Sequence, residues 1–492
     1  MYHALIFNVE YRSLSRNLGP YRIAHWLRAN DWDAEVIDYA LHWQLEELIE
    51  FTNSRVTNNT KFIGFSNLFG EWNEVIFQYV FWLKQKYPNI KIISGSSSLP
   101  KVKINVDYHI WGFGEYALDA LLKYLFSNGT SPKYTEISEI RVIDGSDYPA
   151  YPLTDYSVSY QKRDFIQPWE FLSIETARGC RFKCSFCSFS VLGVKEDHST
   201  SAESFEKQLK DNYYNWGVEN YVIAEETFND RTDKIKKFSK VVDTLDFKPW
   251  FSAFIRFDLL LSRKDDRHLL EDMNVLGQFY GIESFNHATA KLLRKGMSSD
   301  KIKEGLLEIK EHYSHTKKYR GTTSFIIGAP LETQESILST SKWLKENWSD
   351  QSVGFYPMSI PLKGRKSDLS RDYEKNGYEK IDINDLKKKH IIDMELHNDI
   401  VNKIDAIHTD GESLLWKNSN MDIYEAFKLH KIYGNMVKDH NFKKTTFALA
   451  EFSGVESTLD DKLTHSANDV HKWQPDEWAW YDKYKNMKLI SF

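Results

Sequence analysis

Apolar positions over residues 1–126 alternate between two periods. HALIFNV (3–9), DAEVIDYA (33–40), KFIGFSNL (61–68), IKIISGSSS (90–98) and DYHIWGFGE (107–115) are short runs rich in branched and aromatic residues, the pattern of buried strands. Between them, GPYRIAHWLRAND (19–31) sets Ile23, Trp26 and Leu27 at helical spacing. The segments LHWQLEELIEF (41–51), EVIFQYVFWLKQKY (74–87) and YALDALLKYLF (116–126) repeat that period. Strands alternating with helices predict an α/β unit with a doubly wound parallel sheet. Such sheets bind ligands beyond the carboxyl ends of their strands. Here those ends carry NVEYRS, SNLFG, SGSSS and GFGE.

Residues 127–170 break the rhythm. SNGTSPKY and DGSDYPAYPLTDY are rich in Gly, Ser, Pro and Asp, which predicts a linker with little regular structure. The alternation resumes over 171–369, with strand runs WEFLSIETA (169–177), ENYVIAEE (219–226), PWFSAFIRF (249–257), QFYGIES (278–284), GTTSFIIGAP (321–330) and SVGFYPMSIP (352–361). Six strand–helix units predict a partial (β/α)6 TIM-like barrel, with its chemistry at the strand C-termini. Residues 370–492 read as mainly helical, with Ile392, Leu396, Ile400, Ile404 and Ile407 at helical spacing. This extension is expected to cap a substrate, with Trp473, Trp478, Trp480 and Tyr481 as candidate stacking residues.

Composition narrows the class. At 41% hydrophobic and 27% charged the chain is globular, and 15% aromatic content favours large cores and flat contact surfaces. A net charge of -6 offers no global field for nucleic acid. The start MYHALIFNVEYRS lacks the basic opening and long apolar run of a secretory leader, and no run is long enough to span a membrane. A cytoplasmic enzyme with reduced thiols is expected.

All three cysteines, Cys180, Cys184 and Cys187, fall in RGCRFKCSFCSF. Three readings of this loop compete. Buried free cysteines would behave as small hydrophobes. Structural zinc wants four ligands, and with no second cysteine pair only His198 is nearby. A 4Fe–4S cluster takes four cysteines when fully ligated, so three leave one iron open for a ligand.

CxxxCxxC with Phe186 before the last cysteine, at the end of the first barrel strand, resembles the signature of the radical S-adenosylmethionine (SAM) superfamily. The resemblance implies that the open iron binds SAM. One electron then yields methionine and a 5′-deoxyadenosyl radical, which removes hydrogen from a substrate. It also implies a one-electron donor such as flavodoxin or ferredoxin, and a small-molecule, peptide or nucleoside substrate. Later strands carry the implied SAM contacts: Glu225 in IAEETF, with Glu226 as its alternate, Arg256 in FIRFD, and Glu283 and Ser284 in GIES. Ile327 and Gly328 follow in FIIGAPLET, which Glu332 closes.

The first 126 residues resemble the Rossmann-like cobalamin-binding domain that precedes many such barrels. The match lies in LGPYRIAHWLRANDWDAEVID, GFSNL, ISGSS and WGFGEYALDALL. It implies cobalamin contacts at Ser66, Leu68, Gly95, Ser96, Gly112, Gly114 and Glu115. Two departures stand against it. The loop NVEYRS lacks the histidine that replaces the lower cobalt ligand, and Ser96 stands where a second glycine is usual. The implied activity is cobalamin-dependent methylation of an unactivated carbon. The alternatives are a cobalamin-free radical SAM rearrangement, cyclisation or oxidation, and a zinc-stabilised binding module. With no cysteine left for a second cluster, methylthiolation is disfavoured. The oligomeric state is not legible.

Overall fold

A computed structural model of the chain describes residues 1–9, 16–67, 72–100, 105–149, 151–153, 157–168, 170–189, 198–316, 318–411, 413–438 and 470–490. Within these, the side chains of 392, 395, 396, 410, 434–438 and 470–479 are not described.

β1 (Tyr2–Asn8) turns Ala4 and Ile6 to one core and Leu5 and Phe7 to another. A strand buried on both faces reads as an unbroken apolar run, which is why HALIFNV shows no alternation. Around it lie β2 (Trp32–Ile37), β3 (Thr60–Ser66), β4 (Lys91–Ser96) and β5 (Tyr108–Trp111), all parallel, in the order β2-β1-β3-β4-β5. The sheet continues into β7 (Ile140–Asp144), parallel to β5, and β6 (Thr135–Ile137), antiparallel to β7. The expected linker therefore contributes two strands to the first sheet. Its sequence TEISEIRVID intersperses charge because β6 is an exposed edge.

The second sheet has six parallel strands in chain order. They are β8 (Phe171–Ile174), β9 (Asn220–Ile223), β10 (Trp250–Ile255), β11 (Val275–Glu283), β12 (Arg320–Ile327) and β13 (Ser352–Pro357). Each overlaps an expected strand run, β11 beginning three residues before its run, and amphipathic helices such as Ala202–Trp216 and Thr232–Asp243 return the chain along the outside.

Two buried ion networks pin the sheets together. Arg16 Nη1 donates to Asp38 Oδ2 at 2.8 Å and Arg16 Nη2 to Glu170 Oε1 at 2.8 Å, while Arg16 pairs with Leu172 of β8 through a parallel backbone bridge. Arg178 Nη2 donates to Glu115 Oε1 at 2.5 Å and its Nε to Glu175 Oε1 at 2.8 Å, and Glu115 also takes Arg22. Removing one member of such a network strands a buried charge, which costs about 3–5 kcal/mol.

The C-terminal region divides. Up to residue 438 it packs on the barrel rim: Trp416 Nε1 donates to Met358 O at 2.9 Å and Tyr378 OH to Gly328 O at 2.8 Å. The expected helix through 392–407 breaks at His397 into Ile391–Leu396 and Asn398–Asp410, with Ile400 and Ile404 buried. The helix Val470–Ile490 instead covers the outer face of the first sheet. Trp480, Tyr481 and Tyr484 join the core of Leu5 and Phe7, and Lys488 Nζ donates to Glu35 Oε1 at 3.0 Å. Trp480 and Tyr481 are therefore core residues, not a substrate-stacking surface. The side chains of Trp473 and Trp478 lie outside the described residues. Among the described residues no helix is long and apolar enough to cross a membrane.

Candidate active site

The carboxyl ends of both sheets open into one cavity of about 800 Å³. On one side it is lined by Ile6, Gly64, Ser66, Gly95, Ser96 and the Gly112–Glu115 turn; on the other by Cys180, Cys184, Cys187 and the ends of β9, β10 and β11. The site thus arises because two parallel sheets face each other strand-end to strand-end.

The three thiols sit on the loop after β8. Cys187 N donates to Cys184 O at 3.2 Å, a tight turn that gathers the sulfurs. Burial, with the neighbouring thiols, pushes Cys187 up to about 11. Thiolates on this loop therefore need positive charge. Arg256 Nη1 lies 3.5 Å from Cys184 Sγ and stacks over Phe182 at 4.0 Å, while Asp258 and Asn229 hold it in place. Lys295 is a second cation: burial opposes its charge, but Glu283 and Cys184 more than offset that and raise it. Three thiols on one loop beside two cations fit an iron–sulfur cluster that keeps one iron open.

The acidic pair after β9 is resolved by its neighbours. Glu225 accepts from Thr176 Oγ1 at 2.6 Å and pairs with Lys234, which also holds Asp230 at 2.6 Å. Glu226 lines the same cavity with a buried Oε2 that has no hydrogen-bond partner. Burial and the adjacent Glu225 push its carboxyl up to about 7. Glu226, the alternate in the sequence reading, is thus the carboxylate left for a ligand. Glu175, raised by burial to about 7, stands nearby on the same wall.

The remaining expected residues divide. Glu283 reaches the cavity at the end of β11, at φ 72°, with Lys295 Nζ 3.2 Å from its carboxylate. Ser284 donates to Glu332 instead. Ile327 and Gly328 do not line the cavity. Ile327 O accepts from Met358 N at 2.8 Å, and Gly328, at φ 84°, would place a Cβ 2.2 Å from Trp416. Their backbone serves the C-terminal packing. Of the first-sheet residues, Ser66, Gly95, Ser96, Gly112 and Gly114 line the cavity. Glu115 lines it too but is taken by Arg22 and Arg178, and Leu68 lies outside the described residues. At Gly95 a Cβ would meet nothing nearer than Ile110 O at 3.7 Å, so the glycine leaves space that the protein does not fill. Sequence reasoning missed Arg365, which stacks on Trp111 at 4.4 Å, bonds Asp144 at 2.9 Å and lines the cavity with an unpartnered Nη1. Within LKGRKSD it looks like any solvated basic residue.

Residues 174–344 match the family model described as the radical SAM superfamily. The chain carries a radical SAM domain. The match supports an enzyme and implies a 4Fe–4S cluster and SAM for that domain. A curated relative, an uncharacterized methyltransferase of Pyrococcus horikoshii, is 24% identical over 227 residues, which is 46% of this chain and 46% of the relative. The chain thus aligns with about half the length of that relative. Among solved structures, the radical SAM methyltransferase TsrM of Kitasatospora setae, with tryptophan substrate and a SAM analogue bound, gives a TM-score of 0.61 at 13% identity, covering 77% of this chain and 78% of that one. The cobalamin-dependent SAM radical enzyme OxsB, with aqua-cobalamin and SAM bound, gives 0.59 at 14% identity, covering 100% and 80%. At such identities these likenesses concern the fold alone, which over the covered residues this chain has in common with both structures.

Proposed function

We propose that the chain is a cobalamin-dependent radical SAM methyltransferase acting on an unactivated carbon of a small-molecule, peptide or nucleoside-type substrate. The observation that carries this reading is the single cavity shared by the Gly95 floor and the three-cysteine loop. A radical SAM barrel alone has no use for a second sheet whose strand ends face its cluster loop. The ligands bound in the structurally similar OxsB support the same pair of cofactors here.

When bound, the cluster and SAM supply one-electron chemistry, and cobalamin supplies a methyl-carrying cobalt. The protein's own part is placement. Cys180, Cys184 and Cys187 hold the cluster, while Arg256 and Lys295 balance its charge. Glu226 offers its free oxygen to the SAM amino group, and Glu283 stands at the next strand end. Gly64, Ser66, Gly95, Ser96, Gly112 and Gly114 form a floor of small residues that a corrin ring can approach closely. Phe182, Phe186 and Phe113 keep the walls apolar and exclude water from the reacting carbon. Residues 370–438 cap the substrate at the β12–β13 rim, and a ferredoxin or flavodoxin supplies the electron.

The test is anaerobic turnover of the reconstituted chain with SAM, with and without hydroxocobalamin. Formation of S-adenosylhomocysteine that depends on cobalamin supports the proposal. 5′-Deoxyadenosine alone, unaffected by cobalamin, refutes it.

A further inference from the structure

The opposite end of the barrel carries a second cluster of metal-ligating side chains. His268 and Glu271 lie one turn apart on the helix Asp265–Asp272, which leads into β11. His312 ends the helix Ser299–His312, which leads into β12, and His315 follows in the turn. All four therefore sit where strands begin, across the barrel from the cysteines. One donor atom each from His268, Glu271 and His312 falls within 4.8 Å of the other two.

The geometry differs from that of an ordinary ion pair. His312 Nε2 is 3.3 Å from Glu271 Oε2 but is out of line for a hydrogen bond, and it is buried with no other hydrogen-bond partner. Ligands of one tetrahedral ion with bonds of 2.0–2.1 Å lie about 3.3 Å apart without facing each other. The His268 and His312 rings meet edge to face at 4.7 Å, which brings two imidazoles together where two imidazolium charges would repel. His315 Nε2 bonds the other Glu271 oxygen, the kind of outer contact that orients a ligating carboxylate.

We infer that His268, Glu271 and His312 form a site for one zinc-like divalent ion, with His315 as the residue that positions Glu271. Two imidazoles and a carboxylate select a borderline transition metal over magnesium or calcium. The ion ties the two helices together at the base of β11 and β12, where barrel residues serve stability. The site is independent of the cysteine loop and of the proposed methyl transfer.

The test is zinc titration of the full, cluster-loaded chain against a chromophoric chelator, with thermal melting in parallel. One tight equivalent of zinc is expected, with a raised melting temperature. H268A and E271Q should each abolish that equivalent, H315A should weaken it about 10–100-fold, and cluster iron should be unchanged in all three. His268 is exposed, so H268A keeps the test valid if a buried variant fails to fold. Absence of a tight equivalent in the wild-type chain, or its survival in folded H268A and E271Q, overturns the inference.

Discussion

Two glycine substitutions separate a surface kept open for a ligand from a glycine that packing requires. In G95V the new Cβ meets only Ile110 O, at 3.7 Å, within ordinary van der Waals contact. A glycine inside a strand costs about 0.5–1 kcal/mol relative to alanine, and valine suits strands. The apo protein should therefore keep its melting temperature or gain slightly. In G328A the Cβ lands 2.2 Å from Trp416 Cη2 on a backbone at φ 84°. The left-handed conformation costs about 1–2 kcal/mol, and overpacking adds about 1–3 kcal/mol. This variant should be destabilised by about 2–5 kcal/mol. Cobalamin retention should reverse the order. The Gly95 floor is open for the ring, so a valine there overpacks the complex by about 1–3 kcal/mol, which is about 5- to 150-fold weaker binding. Melting curves of the apo variants and equilibrium binding of hydroxocobalamin read both effects. If G95V melts early like G328A, or binds cobalamin as wild type does, the assignment of Gly95 to a cofactor floor is refuted.

Further outcomes follow from the same geometry. Glu226 and Glu175 bind protons more tightly folded than unfolded, since both carboxyls are raised to about 7. The apo protein should therefore lose stability as pH rises from about 4.5 through about 7, and E226Q should flatten that slope in melting temperature against pH. K234M leaves the buried Glu225 without its cation and should cost about 3–5 kcal/mol, much of which the double variant E225Q/K234M should recover in a denaturant titration. Deleting residues 470–492 uncovers the face of Leu5 and Phe7 and leaves Glu35 without Lys488. The truncated chain should aggregate on heating below the wild-type melting temperature, as followed by light scattering.

Strands β1–β5 and β8–β13 were legible because each is a short apolar run between helical periods, and burial on both faces keeps the run unbroken. The cysteine loop was legible because its residues are adjacent. What escaped depends on distant partners. Nothing near Glu225 marks it as the engaged member of its pair; Lys234 sits in KIKK, where any lysine looks solvated. Gly328 reads as a ligand-contacting glycine until Trp416, far along the chain, is packed against it. The terminal helix shows little amphipathic patterning. Its place is set by Tyr484 and Lys488 meeting Asp38 and Glu35 at the other end of the sequence. Strands β6 and β7 were masked by alternating charge, which suits an edge but resembles a linker.

The proposed function requires one cavity to hold both a cluster and a corrin. The iron and cobalt content of the anaerobically reconstituted chain after gel filtration, for the wild type and for C184A, tests this. Four irons and one cobalt are expected per wild-type chain, with loss of iron and retention of cobalt in C184A. A wild-type chain that retains its iron but no cobalt would contradict it.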